Sequence, residues 1–162
     1  MKLVELLQGL TQNASLITFL VAMAPIVELR AAIPIGISLG LGPWQALLLS
    51  VCGNLIPAPF IILFIRKIFH WMRLHMPKLG NLVARMEQKA ESHRKLVERW
   101  KFWGLLLLVA IPLPGTGAWT GALVAAFMDM RLKHALPAIV TGVIVAGFLV
   151  LGITVGFADL LA

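Results

Sequence analysis

From Glu5 to Arg66 the chain runs through sixty residues that carry two charges, Glu28 and Arg30. The apolar stretches are continuous, covering about 14–42, 44–65, 102–128 and 135–158. Each is long enough to supply the ~20 apolar residues that a helix needs to cross a hydrocarbon core of ~30 Å. They lack the apolar–polar alternation of transmembrane barrel strands. Composition agrees: 60% of residues are hydrophobic and 13% charged, with a mean hydropathy of +0.94, where soluble domains carry about 25% charged residues. These features predict an all-α integral membrane protein.

The formal charge of +7 is concentrated in one segment. Between Arg66 and Lys101 stand ten basic residues and three acidic ones, which account for the whole excess, and elsewhere the signs cancel. A basic segment placed between apolar blocks is what the positive-inside rule assigns to the cytoplasm, so no nucleic-acid partner is expected. Cys52 is the single cysteine, which excludes an intramolecular disulfide and gives a metal cluster no thiol pair. The N-terminal stretch with Glu5, Gln8, Gln12 and Asn13 is amphipathic and reads as uncleaved.

Three parts follow: a first membrane half, 1–65; a basic cytoplasmic connector, 66–101; and a second membrane half, 102–162. Each half is a block interrupted by proline and glycine followed by a cleaner block. Aligning Pro25 with Pro112 or Pro114 brings Gly53 near Gly142. If the block 102–128 crossed fully, Arg131 and Lys133 would lie opposite the +7 segment, against the positive-inside rule. A re-entrant hairpin that turns at Pro112–Gly117 avoids this, since proline and glycine make a helix break cheap. The first half is expected to be its inverted copy, an architecture common in secondary transporters, although residues 3–24 are also long enough for a full span. In the connector, Leu82, Val83, Met86, Ala90, Val97 and Trp100 recur at helical spacing and Glu91 stands four before Lys95. They predict an amphipathic helix of about 20 residues from Leu79, set off by Pro77.

An ionisable group at the centre of a span costs on the order of 2.5–3.5 kcal/mol, so Glu28 and Arg30 need a partner or a polar cavity. Residues two apart do not face each other on a helix, and helix is disfavoured in ELRAAI ahead of Pro34. Glu28 is therefore a candidate proton-binding carboxylate, and Arg30 a candidate anchor for an anionic group. The alternative is a buried ion pair holding the hairpin. The second constellation, Pro112 to Gly121, lacks the Gly-Lys-Ser/Thr of a nucleotide phosphate loop. A half-helix starting after Gly117 would aim its N–H groups at an anion, with Thr116 and Thr120 adding hydroxyls and Trp119 a wall. Capping and packing are the competing roles. No Ser/His/Asp, Cys/His or paired-carboxylate arrangement stands in the apolar blocks, so the chain is expected not to be an enzyme and to use no cofactor or metal.

PIVELRAAIPIGI and PLPGTGAWTGALVAAF resemble the signature segments of the bacterial and archaeal small multidrug export proteins, a family distantly similar to the DedA superfamily. The resemblance implies two facing re-entrant loops, with Glu28, Arg30 and Pro34 in the first and Pro114, Gly115, Thr116, Gly117 and Trp119 in the second. The function expected is proton-coupled export of a small anionic or amphipathic substrate through a midplane site. The alternative is a flippase or scramblase for lipid or polyprenyl-phosphate. Expected partners are membrane lipids, the substrate, protons and a second copy of the chain in a homodimer. The expected location is the inner (plasma) membrane.

Overall fold

In a computed structural model the residues described are 13–25, 27–76, 80–113 and 115–161, with 157–161 as backbone alone. Among them the chain forms helices and no strand. Helix α1 (Ala14–Met23) starts on Asn13, whose side-chain oxygen accepts from the Ser15 and Leu16 N–H groups and so satisfies two donors that a helix start leaves open. After a break, α2 (Glu28–Ser38) leads through a turn at Gly40, φ +91°, into α3 (Pro43–Leu55). Pro43 opens α3, where its missing N–H costs nothing. The remaining helices are α4 (Pro57–His75), α5 (Gly80–Trp100), α6 (Phe102–Ala110), α7 (Ala118–Phe127) and α8 (Leu132–Leu161).

Helices α1, α2, α6 and α7 have 10, 11, 9 and 10 residues, about 15 Å each or half a hydrocarbon core. The helical runs Pro43–His75 and Leu132–Gly156 are long and apolar enough to cross it. Only 39% and 44% of their most apolar windows are buried, whereas a core helix of a soluble protein would be mostly covered. Leu48, Phe60, Leu63, Phe148, Leu149 and Ile153 stand exposed, as apolar side chains facing lipid would.

The expected loss of helix ahead of Pro34 does not occur. The chain breaks between Met23 and Glu28 instead, and Pro34 sits inside α2, where it withholds the N–H that the Arg30 carbonyl would otherwise accept. Such prolines are tolerated in membrane helices when neighbouring elements cover the freed group. The expected N-terminal amphipathic stretch and Pro77 lie outside the described residues.

Contacts divide the chain into two compact units, Met1–Ile56 with Val143–Ala162, and Pro57–Gly142. In the first, α1, α2 and α3 pack on one another around Ile17, Val21, Ala22 and Ala32. Gly147 of α8 lies against Leu47 and Val51, and Trp44 meets Phe148 edge to face at 6.2 Å.

In the second unit α7 is the central helix, touching α4, α5 and α6. It is buried from Ala118 to Ala126 except at Trp119, as its apolar character on every side demands. The expected connector helix is α5, and its buried residues Val83, Ala90 and Val97 recur every seventh position. It packs along α6 and α7, and at Gly104 of α6 a methyl group would meet the Leu96 carbonyl at 2.5 Å. The ion pairs of α5 centre on Arg94, 2.5 Å from Glu98 and 3.4 Å from Glu91, where the sequence suggested Lys95 with Glu91. The forked guanidinium reaches carboxylates on both sides along the helix. Arg73 also pairs with Glu87, and Arg66 with Asp129.

One contact recurs in each unit. In the first, Gly53 of α3 abuts the Phe19 carbonyl and Ala22 of α1. In the second, a methyl group on Gly142 of α8 would lie 2.9 Å from the Leu106 carbonyl and 2.7 Å from Val109 of α6. Phe19 and Ala22 stand six and three residues before Pro25, and Leu106 and Val109 stand six and three before Pro112. Glycines of the arms after the breaks also pack back on the arms before them: Gly36 of α2 meets Thr18, and Gly121 of α7 meets Val109 and Leu105. Replacing Gly53 or Gly142 by alanine is expected to destabilise the fold by about 1–3 kcal/mol through overpacking. At Gly152 an added methyl meets nothing within 4 Å, and alanine there should be neutral or stabilising by up to about 1 kcal/mol. Denaturation in detergent, followed by circular dichroism, checks the contrast.

Candidate functional site

Glu28 is the first residue of α2, 4% exposed, and its N–H donates to the Ala24 carbonyl at 3.0 Å. Its φ is +50°, a left-handed conformation that costs a residue bearing a Cβ roughly 1–2 kcal/mol. Backbone strain of this kind collects at functional sites. Arg30 follows, half-buried, and the Glu28 carboxylate acts on its guanidinium electrostatically. Pro34 lies on the next turn and is half-buried.

The second break falls where the proline and glycine cluster predicts it, between Ala110 and Ala118. The chain folds back on itself there: the Gly117 N–H donates to the Leu108 carbonyl of α6 at 3.3 Å. Gly115 and Gly117 adopt φ of +95° and +117°, which glycine alone takes without strain. The Thr116 hydroxyl lies 2.6 Å from the Ile111 carbonyl and 2.8 Å from that of Leu113, and accepts from the Leu113 N–H at 3.2 Å. It therefore ties the turn together. Helix α7 starts directly after Gly117, with Trp119 half-buried and Thr120 buried. Pro114 lies outside the described residues.

Reading the sequence misses three polar residues. A methyl group on Gly115 would sit 3.5 Å from Cε and 4.0 Å from Nζ of Lys89, so α5 brings an ammonium group to the second break from a distant part of the chain. Ser50 and Asn54 of α3 are buried, and their side-chain N and O atoms have no hydrogen-bond partner among the described residues. Asn54 carries a sequence signal, a carboxamide within an apolar span. Lys89 carries none, because the register of α5 against α6 and α7 is a tertiary property.

Cavities also open in the second unit, two of them beside basic groups. One, about 540 Å³, is lined by Val97, Phe102 and Met130 with Lys101, Arg131 and His134 among its basic groups. The other, about 590 Å³, is bordered by Arg66, Lys67, His70 and Asp129. Among the described residues no three His, Cys, Asp or Glu side chains gather as a metal site.

A family model described as "Putative small multi-drug export protein" matches residues 28–149. The chain belongs to this family. No curated protein and no solved structure matches the chain. The small multi-drug export match begins at Glu28 and extends into α8, so it takes in Glu28, Arg30 and the whole second break. The family is named for export and not for catalysis, and its name together with the apolar helices places the protein in a membrane.

Thr116→Val should destabilise the protein by about 1–2 kcal/mol, because the turn loses its side-chain hydrogen bonds. Thr116→Ser should retain that stability. Chemical denaturation of the two variants in detergent distinguishes this tie from a hydroxyl whose only role is to contact substrate.

Proposed function

We propose that this small multi-drug export protein moves a small anionic or amphipathic solute out of the cell in exchange for protons, with Glu28 carrying the proton and Arg30 anchoring the solute. The observation that carries the reading is the buried, conformationally strained Glu28 at a helix break, within an apolar block whose other charge is Arg30. A carboxyl in such a place is expensive and has the properties of a proton relay. Arginine offers a planar, permanently charged fork suited to carboxylate or phosphate. Lys89 beside Gly115 adds a cation at the second break, which favours anionic character in the solute.

Half-bilayer arms such as α1 with α2 and α6 with α7 suit re-entrant hairpins. The matched glycine contacts of α3 with α1 and of α8 with α6 support descent of the halves from a repeat, which in secondary transporters is commonly inverted. The basic segment is proposed to face the cytoplasm of the inner membrane, and the protein is proposed to work as a homodimer.

In proteoliposomes carrying a pH gradient, proton-driven flux across a panel of organic anions and amphiphiles should be present in the native protein and lost in Glu28→Gln. Arg30→Lys should weaken solute affinity by about tenfold, since charge is kept and the fork is lost. Equilibration of labelled lipid between leaflets without a proton gradient, unaffected by Glu28→Gln, would overturn the exchange reading in favour of lipid scrambling. For orientation, a cysteine at Ser92 in a Cys52→Ala background should react with an impermeant maleimide only after cells are opened. Reaction in intact cells would place α5 outside.

A further inference from the structure

The short turn between α2 and α3 makes these packed helices antiparallel neighbours, and Gly36 lies against Ala46. Eight residues back from Gly36 is Glu28, and eight residues on from Ala46 is Asn54. At about 1.5 Å per residue both lie some 12 Å from the glycine contact, at one level. The buried residues form matching rows four apart, Glu28, Ala32 and Gly36 on α2 and Ala46, Ser50 and Asn54 on α3. Helix α1 gives the same level independently, because Gly53 abuts Ala22 and α1 ends at Met23, just before the break that leads to Glu28.

At that level Asn54 is 1% exposed and Ser50 fully buried. Ser50 Oγ, Asn54 Oδ1 and Asn54 Nδ2 have no hydrogen-bond partner among the described residues. Leaving such groups buried and unsatisfied is costly. A serine in a helix can bond the carbonyl one turn back, as Thr18 does with Ala14 at 2.8 Å, yet Ser50 does not. Two acceptors and a donor on adjacent turns of one helix face are the complement of water, which typically makes about three hydrogen bonds to otherwise unsatisfied buried groups. A bare cation would use the two oxygens and leave the amide N–H groups unmatched.

We infer that Ser50 and Asn54 form a water-binding site beside Glu28 and that protons reach the Glu28 carboxyl through it. The proton-carrying role of Glu28 rests on the function proposed above. Hydrated protons arriving at the site give a proton to the carboxylate, leaving water and a neutral carboxyl, and the reverse step releases it. Among the described residues of the helices packed against α2, α1 has no titratable side chain and α3 has Cys52, which is exposed. Arg30 is the charged residue on α2 itself besides Glu28.

The test uses the full chain in lipid nanodiscs. With asparagine labelled by ¹⁵N, the Asn54 side-chain amide, assigned by its loss in Asn54→Leu, should show magnetisation transfer from water. Hydrogen–deuterium exchange of the protonated Glu28 carboxyl, assigned by infrared difference against Glu28→Gln, should be about tenfold slower in Asn54→Leu and in Ser50→Ala. Ser50→Ala carries the kinetic test if Asn54→Leu does not fold. An Asn54 amide shielded from water, or an exchange rate unchanged in a folded variant, overturns the inference. Water contact with slowed exchange but no solute flux would sustain the water site and remove the transport reading. Proton-driven flux with exchange insensitive to both substitutions would do the opposite.

Discussion

A helix that stops inside an apolar block leaves backbone donors and acceptors with no water to satisfy them, and the breaks between α1 and α2 and between α6 and α7 are such stops. At the second, the Gly117 N–H returns to the Leu108 carbonyl and the Thr116 hydroxyl binds the carbonyls of Ile111 and Leu113. At the first, the Glu28 N–H finds the Ala24 carbonyl at the cost of a left-handed backbone. The second is closed with glycine and threonine; the first places a charged residue where glycine would be easier. Strain of that kind is retained only where the surroundings enforce it.

Close approach between helices holds both breaks in place. Gly53 and Gly142 allow a long helix to lie against the backbone carbonyl of the arm that precedes each break. Association of helices in lipid depends on van der Waals contact and polar bonds, because hydrocarbon surrounds every face equally. Small residues at those points are therefore structural. The arm residues contacted stand six and three positions before Pro25 in one case and before Pro112 in the other.

Much of this was legible in the sequence. The second break, the start of α7 and the amphipathic α5 follow from proline, glycine and apolar periodicity, which act locally. The loss of helix expected ahead of Pro34, a breaker by local rules, does not occur, because α2 keeps its helix through it and the chain yields ahead of Glu28. The pairing of Arg94 in place of Lys95 depended on side-chain reach, and the exposed pair contributes little to stability either way. Lys89 and Ser50 went unread because each matters only through what lies across from it, whereas Asn54 carried the signal of a carboxamide within an apolar span.

The sequence by itself determined that the chain belongs in a membrane, where its basic segment lies, and that Glu28 and Arg30 interrupt an apolar block. Hydropathy and charge are sums over residues and need no fold to be counted. Tertiary structure alone decided that Glu28 is buried at 4% exposure with a positive φ, that α5 carries Lys89 to Gly115, and that Gly36 of α2 lies against Ala46 of α3. These are relations between helices, set by how closely glycine lets backbones approach, and no window along one strand of sequence contains them.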